Sequence, residues 1–176
     1  MDRRHILRLS AITVLGLSLL PGGALAQQKS LKEQLVGTWT VVSWDQVNKD
    51  GSKFQRFGAN PKGVNVFDAN GRFYVMFARP DLPKFAASNP MKTTPEENQA
   101  VMEGSIAYFG TYTVDEAGKS ISLRVDASTF PNQVGVEQKR DITSLTSNDL
   151  QLSNPNASAG GQINYVMKRA TTVARN

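Results

Sequence analysis

The stretch Ile106-Ala107-Tyr108-Phe109-Gly110-Thr111-Tyr112-Thr113-Val114 leads through Asp115-Glu116-Ala117-Gly118-Lys119 into Ser120-Ile121-Ser122-Leu123-Arg124-Val125, and its reading decides the fold class. Both arms are rich in β-branched and aromatic residues, and the five residues between them are turn material. Two such arms form an antiparallel hairpin. Successive side chains of a strand point to opposite faces, so Ile106, Tyr108, Tyr112 and Val114 share one face.

The same pattern continues on both sides of this hairpin. Thr38 to Val47 is strand material and ends at the turn Asp50-Gly51. Val64 to Phe67 and Arg72 to Arg79 flank Ala69-Asn70-Gly71, a strong hairpin turn, with Phe73, Val75 and Phe77 on one face. Towards the C-terminus, Val134 to Leu145 and Leu150 to Leu152 flank Ser147-Asn148-Asp149, and Ile163 to Arg169 follows the polar loop Asn154 to Gly161. About eight strands result, and eight antiparallel strands close into a small barrel that removes its own edges.

Two helices interrupt the pattern. Ser30-Leu31-Lys32-Glu33 has capping-box form and predicts a short N-terminal helix ended by Gly37. Residues 80–95 hold Pro80, Pro83, Pro90 and Pro95, so this long connection is either a binding loop or a surface crossover. Thr94-Pro95-Glu96-Glu97 then starts a helix, with proline at its first position, that runs to about Glu103 and stops at Gly104. The predicted fold is all-β: an eight-stranded antiparallel barrel with a short N-terminal helix and one helical crossover.

Alternation also sorts the faces. From Val134, the set Val134, Val136, Gln138, Arg140 and Ile142 alternates with Gly135, Glu137, Lys139 and Asp141. The second set belongs in solvent, which sends Gln138 and Arg140 inward. A charge on an inward face is costly unless it is paired or wet, so the interior holds either a watered pocket or an ion pair. In the last strand Ile163, Tyr165, Met167 and Arg169 share a face. The same rule puts Trp39 and Trp44 on opposite faces of the first strand, with Trp39 at the barrel base and Trp44 under the crossover.

Composition removes whole classes of chemistry. The chain is 40% hydrophobic and 20% charged, which suits one globular domain rather than a disordered segment. It has no cysteine and a single histidine, His5. Residues 1–26 read as a cleaved export signal: Arg3, Arg4 and Arg8, an apolar run from Leu9 to Leu20, the breaker Pro21-Gly22-Gly23, and the small-x-small site Ala24-Leu25-Ala26. Arg3-Arg4 followed by apolar residues fits the twin-arginine route, and the general secretory route fits as well. Either route leads to a bacterial periplasm or outside, with residues 27–176 as a single domain. The mature chain then lacks both His and Cys, which excludes Ser-His-Asp triads, thiolate sites and His-ligated metals. No metal site and no cofactor is expected. Removal of Asp2, Arg3, Arg4 and Arg8 lowers the net charge from +5 to +3. Basic runs are absent, which argues against nucleic acid, and the apolar run of the leader is too short to span a bilayer. Oligomeric state is not written in the sequence.

Gly37-Thr38-Trp39 at the mouth of the first strand resembles the Gly-x-Trp signature of lipocalins. Arg169, near the end of the last strand, stands where the lipocalin arginine packs over that tryptophan. A fuller match, from about Leu35 to Lys168, is to bacterial and fungal lipocalin-like domain proteins. It is carried by Leu35-Val36-Gly37-Thr38-Trp39 with Val42-Ser43-Trp44, Phe57-Gly58 with Pro61-Lys62-Gly63, and Asn70-Gly71-Arg72-Phe73. Arg79-Pro80 with Phe85, Ala107-Tyr108-Phe109-Gly110-Thr111-Tyr112, and Phe130-Pro131-Asn132 running to Gly135 and Arg140 complete it. The resemblance implies a lipocalin-type barrel, with Gly37, Trp39 and Arg169 in structural roles. A cation over the Trp39 face contributes about 0.5–2 kcal/mol, and Arg169→Ala is expected to cost about 1–2 kcal/mol. Where the pattern has one or two histidines after the Gly118 turn, this chain has Ser122-Leu123-Arg124.

Two functions of different kind fit these residues. The first is binding of a small apolar or acidic molecule inside the barrel. Phe73, Phe77, Tyr108, Tyr112, Tyr165 and Met167 would supply walls, Gln138 a polar contact, and Arg79 or Arg140 the anchor. Against this, the tyrosines also suit plain barrel core, and Arg79, Arg124 and Arg140 suit structural pairing with Asp45, Glu103 or Asp126. The second is a cofactor-free isomerase, cyclase or hydrolase, whose acid–base work would fall to Asp126, Glu103, Tyr108 and Arg140. The two differ in whether a buried carboxylate and a tyrosine converge in a cavity.

Overall fold

A computed structural model describes residues 29–157 and 160–171. The predicted leader, 1–26, and the last five residues lie outside the described residues. The N-terminal helix α1 (Leu31–Leu35) has the expected capping box: the Ser30 side chain accepts from Glu33 N, and the Glu33 carboxylate accepts from Ser30 N. Glu116, in the turn of the central hairpin, accepts from the Leu31 and Lys32 amides as well. Four otherwise unpaired helix-start donors are the reason acidic groups gather there.

The strands follow as β1 (Gly37–Val47), β2 (Lys53–Phe54), β3 (Lys62–Phe67), β4 (Arg72–Ala78), β5 (Ser105–Asp115), β6 (Ser120–Ser128), β7 (Glu137–Leu145), β8 (Asp149–Asn154) and β9 (Gln162–Arg169). Helix α2 (Pro95–Gly104) sits between β4 and β5 with Thr94 as its cap. Every neighbouring pair is antiparallel. The order is β1-β3-β4-β5-β6-β7-β8-β9, and β9 pairs back onto β1, so eight strands close the barrel; β2 is a two-residue appendage on β1.

Two expectations need correction. Trp39 and Trp44 do not face opposite ways: both are buried, at 0% and 7% exposure. The pairing with β9 shifts register between Val41 and Ser43, and the extra residue of this β-bulge resets the alternation. Val42 is left outside and Trp44 and Gln46 turn inward. At the other site, β7 begins at Glu137, not at Val134. Val134 and Val136 are exposed, because a one-turn 3-10 helix (Pro131–Gln133) and Gly135, at φ +77°, intervene. From Gln138 onward the alternation holds, with Arg140 and Ile142 buried and Glu137 and Lys139 exposed.

One end of the barrel is plugged. Leu35 of α1 and Trp39 beneath it are fully buried, and the Trp39 indole donates to Leu35 O at 2.8 Å. The Arg169 guanidinium lies over the Trp39 ring, 4.1 Å from its centroid. Gly37, at φ +139°, lets it do so: a Cβ there would collide with the Arg169 Nη1 atom. The Gly-x-Trp pattern and the distant arginine are therefore one packing unit.

Candidate functional site

The opposite end holds a cavity of about 640 Å³. It is placed by the ends of β1, β4 and β8 and the starts of β5, β7 and β9, which meet on one side of the closed sheet. Trp44, Phe57, Phe77 and Tyr165 form a connected aromatic wall. Trp44 meets Phe57 edge-on at 5.1 Å and Tyr165 edge-on at 6.3 Å, while Phe57 and Phe77 stand 6.0 Å apart. Such edge contacts add about 0.5–1.5 kcal/mol each beyond burial, so the wall is held firmly.

Arg140 is the charged group within. It is only 4% exposed. Its Nη1 donates to Lys139 O at 2.9 Å and its Nη2 to Gln138 Oε1 at 2.5 Å, and its guanidinium sits 5.8 Å over the Tyr165 ring. Among the described residues no carboxylate forms an ion pair with it. Burial works against its charge, but the phenol oxygens of Tyr165 and Tyr108 outweigh that and move its pKa upward. Burial in turn pushes the Tyr108 phenol up to about 12, so Tyr108 is a neutral hydroxyl at any physiological pH.

That shift has a stability consequence. The phenol ionises near 10 in an unfolded chain. The stabilisation that comes from keeping it neutral in the barrel is present in full below pH 10 and is lost as pH rises through 12. The full loss amounts to about 3 kcal/mol. Tyr108→Phe should flatten this part of the alkaline limb. Denaturant midpoints of both proteins at about pH 9 and about pH 11.5 measure it, and parallel losses in the two would contradict it.

The mouth is built from three segments. Arg56 is the fastener: its Nε donates to Glu103 O at 2.9 Å, and its Nη2 donates to Met102 O at 2.6 Å and Ser105 O at 3.1 Å. The Met102 and Glu103 carbonyls end α2, where no intrahelical donor remains, and Ser105 opens β5. The segment after β2, carrying Gln55, Arg56 and Phe57, is thereby tied to the crossover helix. Phe130 and Gln133, at the bend before β7, line the other side.

Of the residues singled out by sequence, Phe77, Arg79, Tyr108, Gln138, Arg140 and Tyr165 line this cavity. Arg79 does so only at the rim, where it is engaged by Asp81 at 2.9 Å. Phe73 and Tyr112 do not reach it. Phe73 is fully buried beneath Tyr108, 5.8 Å edge-on, and the Tyr112 hydroxyl donates to Asp68 O near the plugged end. Met167 is likewise fully buried core. Arg124 lies on the outer face and is exposed. Asp45 accepts from Gln55, and Asp126 pairs with Arg72 outside the barrel. Glu103 stands exposed at the mouth, so neither Asp126 nor Glu103 joins Tyr108 as a buried carboxylate.

Sequence reading missed Trp44, Gln46, Arg56, Phe57 and Asn154 as cavity residues. Phe57-Gly58 was visible as a motif, with Gly58 at φ +72° marking the turn behind it. Arg56 left no signal, because its role depends on carbonyls almost fifty residues away.

A barrel plugged at one end and hollow at the other, with aromatic walls, is the architecture of a ligand-binding β-barrel. The chain belongs to the lipocalin-like domain family, whose model matches residues 36–175. No curated protein matches it. Among solved structures it is similar to a lipocalin-like protein from Bacteroides uniformis, at 15% identity and a TM-score of 0.44, covering 78% of this chain and 99% of that one. A second protein from Bacteroides uniformis is 17% identical with a TM-score of 0.44, covering 82% and 96% of the two chains. A redesigned β-barrel is 15% identical with a TM-score of 0.41, over 81% of this chain and 100% of its own.

Proposed function

We propose that this is an exported binding protein that holds one small acidic molecule in the open end of its barrel. The observation that carries the reading is Arg140, a buried guanidinium with no carboxylate partner among the described residues, facing a cavity with aromatic walls. A buried charge without a counter-charge is costly, and an anionic ligand would relieve it by accepting charge-assisted hydrogen bonds. The nearby Tyr108 hydroxyl, kept neutral, adds a donor and no competing negative charge. The volume suits a drug-sized molecule, for which pockets run about 300–1,000 Å³.

The test uses the protein's own reporter. Trp44 lines the cavity, whereas Trp39 is sealed at the far end. Titration with small carboxylic acids should change Trp44 emission saturably, and their methyl esters should bind more weakly. Equal affinity for acid and ester would remove the anion reading.

Export rests on residues 1–26, with Arg3, Arg4 and Arg8 before the apolar run and Ala24-Leu25-Ala26 after it. The intact mass of the secreted protein should correspond to a chain starting at Gln27. A secreted chain that keeps the leader would overturn this.

A further inference from the structure

Beyond the anion anchor, the inner wall carries a second polar group of opposite character. Gln46 is 7% exposed, and both protons of its Nε2 are committed, to Asn48 Oδ1 at 3.0 Å and Gly160 O at 3.1 Å. Its Oε1 has no hydrogen-bond donor among the described residues, and the side chain lines the cavity. A fixed amide with its donors spent offers the cavity an acceptor only. On the Arg140 side the opposite holds. Gln138 has its Oε1 occupied by Arg140, leaving its Nε2 protons, and Arg140 and Tyr108 are donors there.

The register relates these two ends through the strands between them. Gln46 pairs with Ile163, Ile163 pairs with Asn154, and Asp141 pairs with Ser153, so Arg140 stands beside Asn154. Gln46 and Arg140 are thus three strand spacings apart, about 14 Å of wall, and both reach inward across the lumen. Between them lie flat aromatic faces and edges, those of Trp44, Phe77 and Tyr165. An acyl chain would leave the Gln46 acceptor buried without a partner, which should weaken its binding about ten-fold or more.

Building on the acidic-ligand reading, we propose that the ligand is a hydroxylated aromatic acid: its carboxylate meets Arg140, its ring lies in the aromatic wall, and its hydroxyl donates to Gln46 Oε1. A site built to pair a ligand hydroxyl rejects the analogue that lacks it far more strongly than an apolar pocket distinguishes chain lengths.

Three probes separate the cases: 4-hydroxycinnamate, cinnamate, and decanoate, which matches 4-hydroxycinnamate in non-hydrogen atoms. Affinities are measured by calorimetry on the mature chain. The expected order is 4-hydroxycinnamate tightest, by about ten-fold or more over both others. Gln46→Leu should bring 4-hydroxycinnamate and cinnamate together, with folding checked by thermal melting; the ratio in the unaltered protein decides the matter even if that variant does not fold. Equal affinities for 4-hydroxycinnamate and cinnamate, or tighter decanoate binding, would overturn the hydroxyl-aromatic inference. If those affinities still fell in Arg140→Leu, the acidic-ligand reading would stand without it. Absence of binding by all three acids would take down both.

Discussion

Arg140→Leu is expected to weaken carboxylate binding by about 100-fold, or about 3 kcal/mol, while leaving the barrel folded. The guanidinium is 4% exposed and its protein contacts are neutral oxygens, those of Lys139 and Gln138. An entering carboxylate would therefore find a desolvated cation that no other acid already neutralises. Hydrogen bonds between ionised partners are roughly twice as strong as neutral ones, and exclusion of water strengthens them further. Stability should move the other way. Replacing a buried charge by an apolar side chain of similar reach is often neutral or stabilising, so the denaturant midpoint should stay level or rise. Calorimetric titration of variant and parent with the same acid measures the first effect, and a urea melt the second. Unchanged acid affinity would leave Arg140 with a purely architectural role beside Tyr165.

Arg169→Ala should be strongly damaging at the plugged end, lowering stability by about 3–4 kcal/mol. The sequence supports about 1–2 kcal/mol, from stacking on Trp39 and packing alone. The structure adds three hydrogen bonds. Nε donates to Ser147 O at 2.6 Å, Nη1 to Val36 O at 2.8 Å and Nη2 to Gln34 O at 2.6 Å. Gln34 lies in the last turn of α1 and Val36 is its C-terminal cap, so their carbonyls have no donor within the helix. One side chain thus fastens the plug helix, the turn between β7 and β8, and the face of Trp39. Arg169→Lys should recover only part of the loss, since an ammonium cannot reproduce the planar fork. Chemical denaturation of the three proteins measures this, and an alanine variant within about 0.5 kcal/mol of the parent would contradict it.

Much of the barrel was legible because strand alternation, turn residues and helix caps are local. The central hairpin, the Asn70-Gly71 turn, the Thr94-Pro95 helix start and the inward setting of Gln138 and Arg140 all follow from neighbours within a few residues. The Trp39 and Arg169 pair was legible only through a resemblance, since nothing local links residues 130 positions apart. Trp44 was misplaced because a bulge is decided by its partner strand. Val42 is extruded only when β1 is laid against Met167 and Val166 of β9, and no feature of Thr40-Val41-Val42-Ser43 announces it.

The sequence by itself determined the fold class, most of the strands and, outside the β1 bulge and the segment before Glu137, their faces, together with the absence of cysteine and of any histidine beyond His5, because these depend on composition and on periods of two to four residues. Only the tertiary structure decided which inward residues share a cavity. Barrel closure puts Phe73 and Tyr112 in the filled half and Phe77, Tyr108 and Tyr165 in the hollow half, although all five carry the same inward pattern. It also brought Gln46 and Arg140 to one cavity, with the Gln46 donors already spent. Alternation fixes the face of a side chain, but its depth along the barrel and the partners left to it are fixed by register, which is a property of pairs of strands.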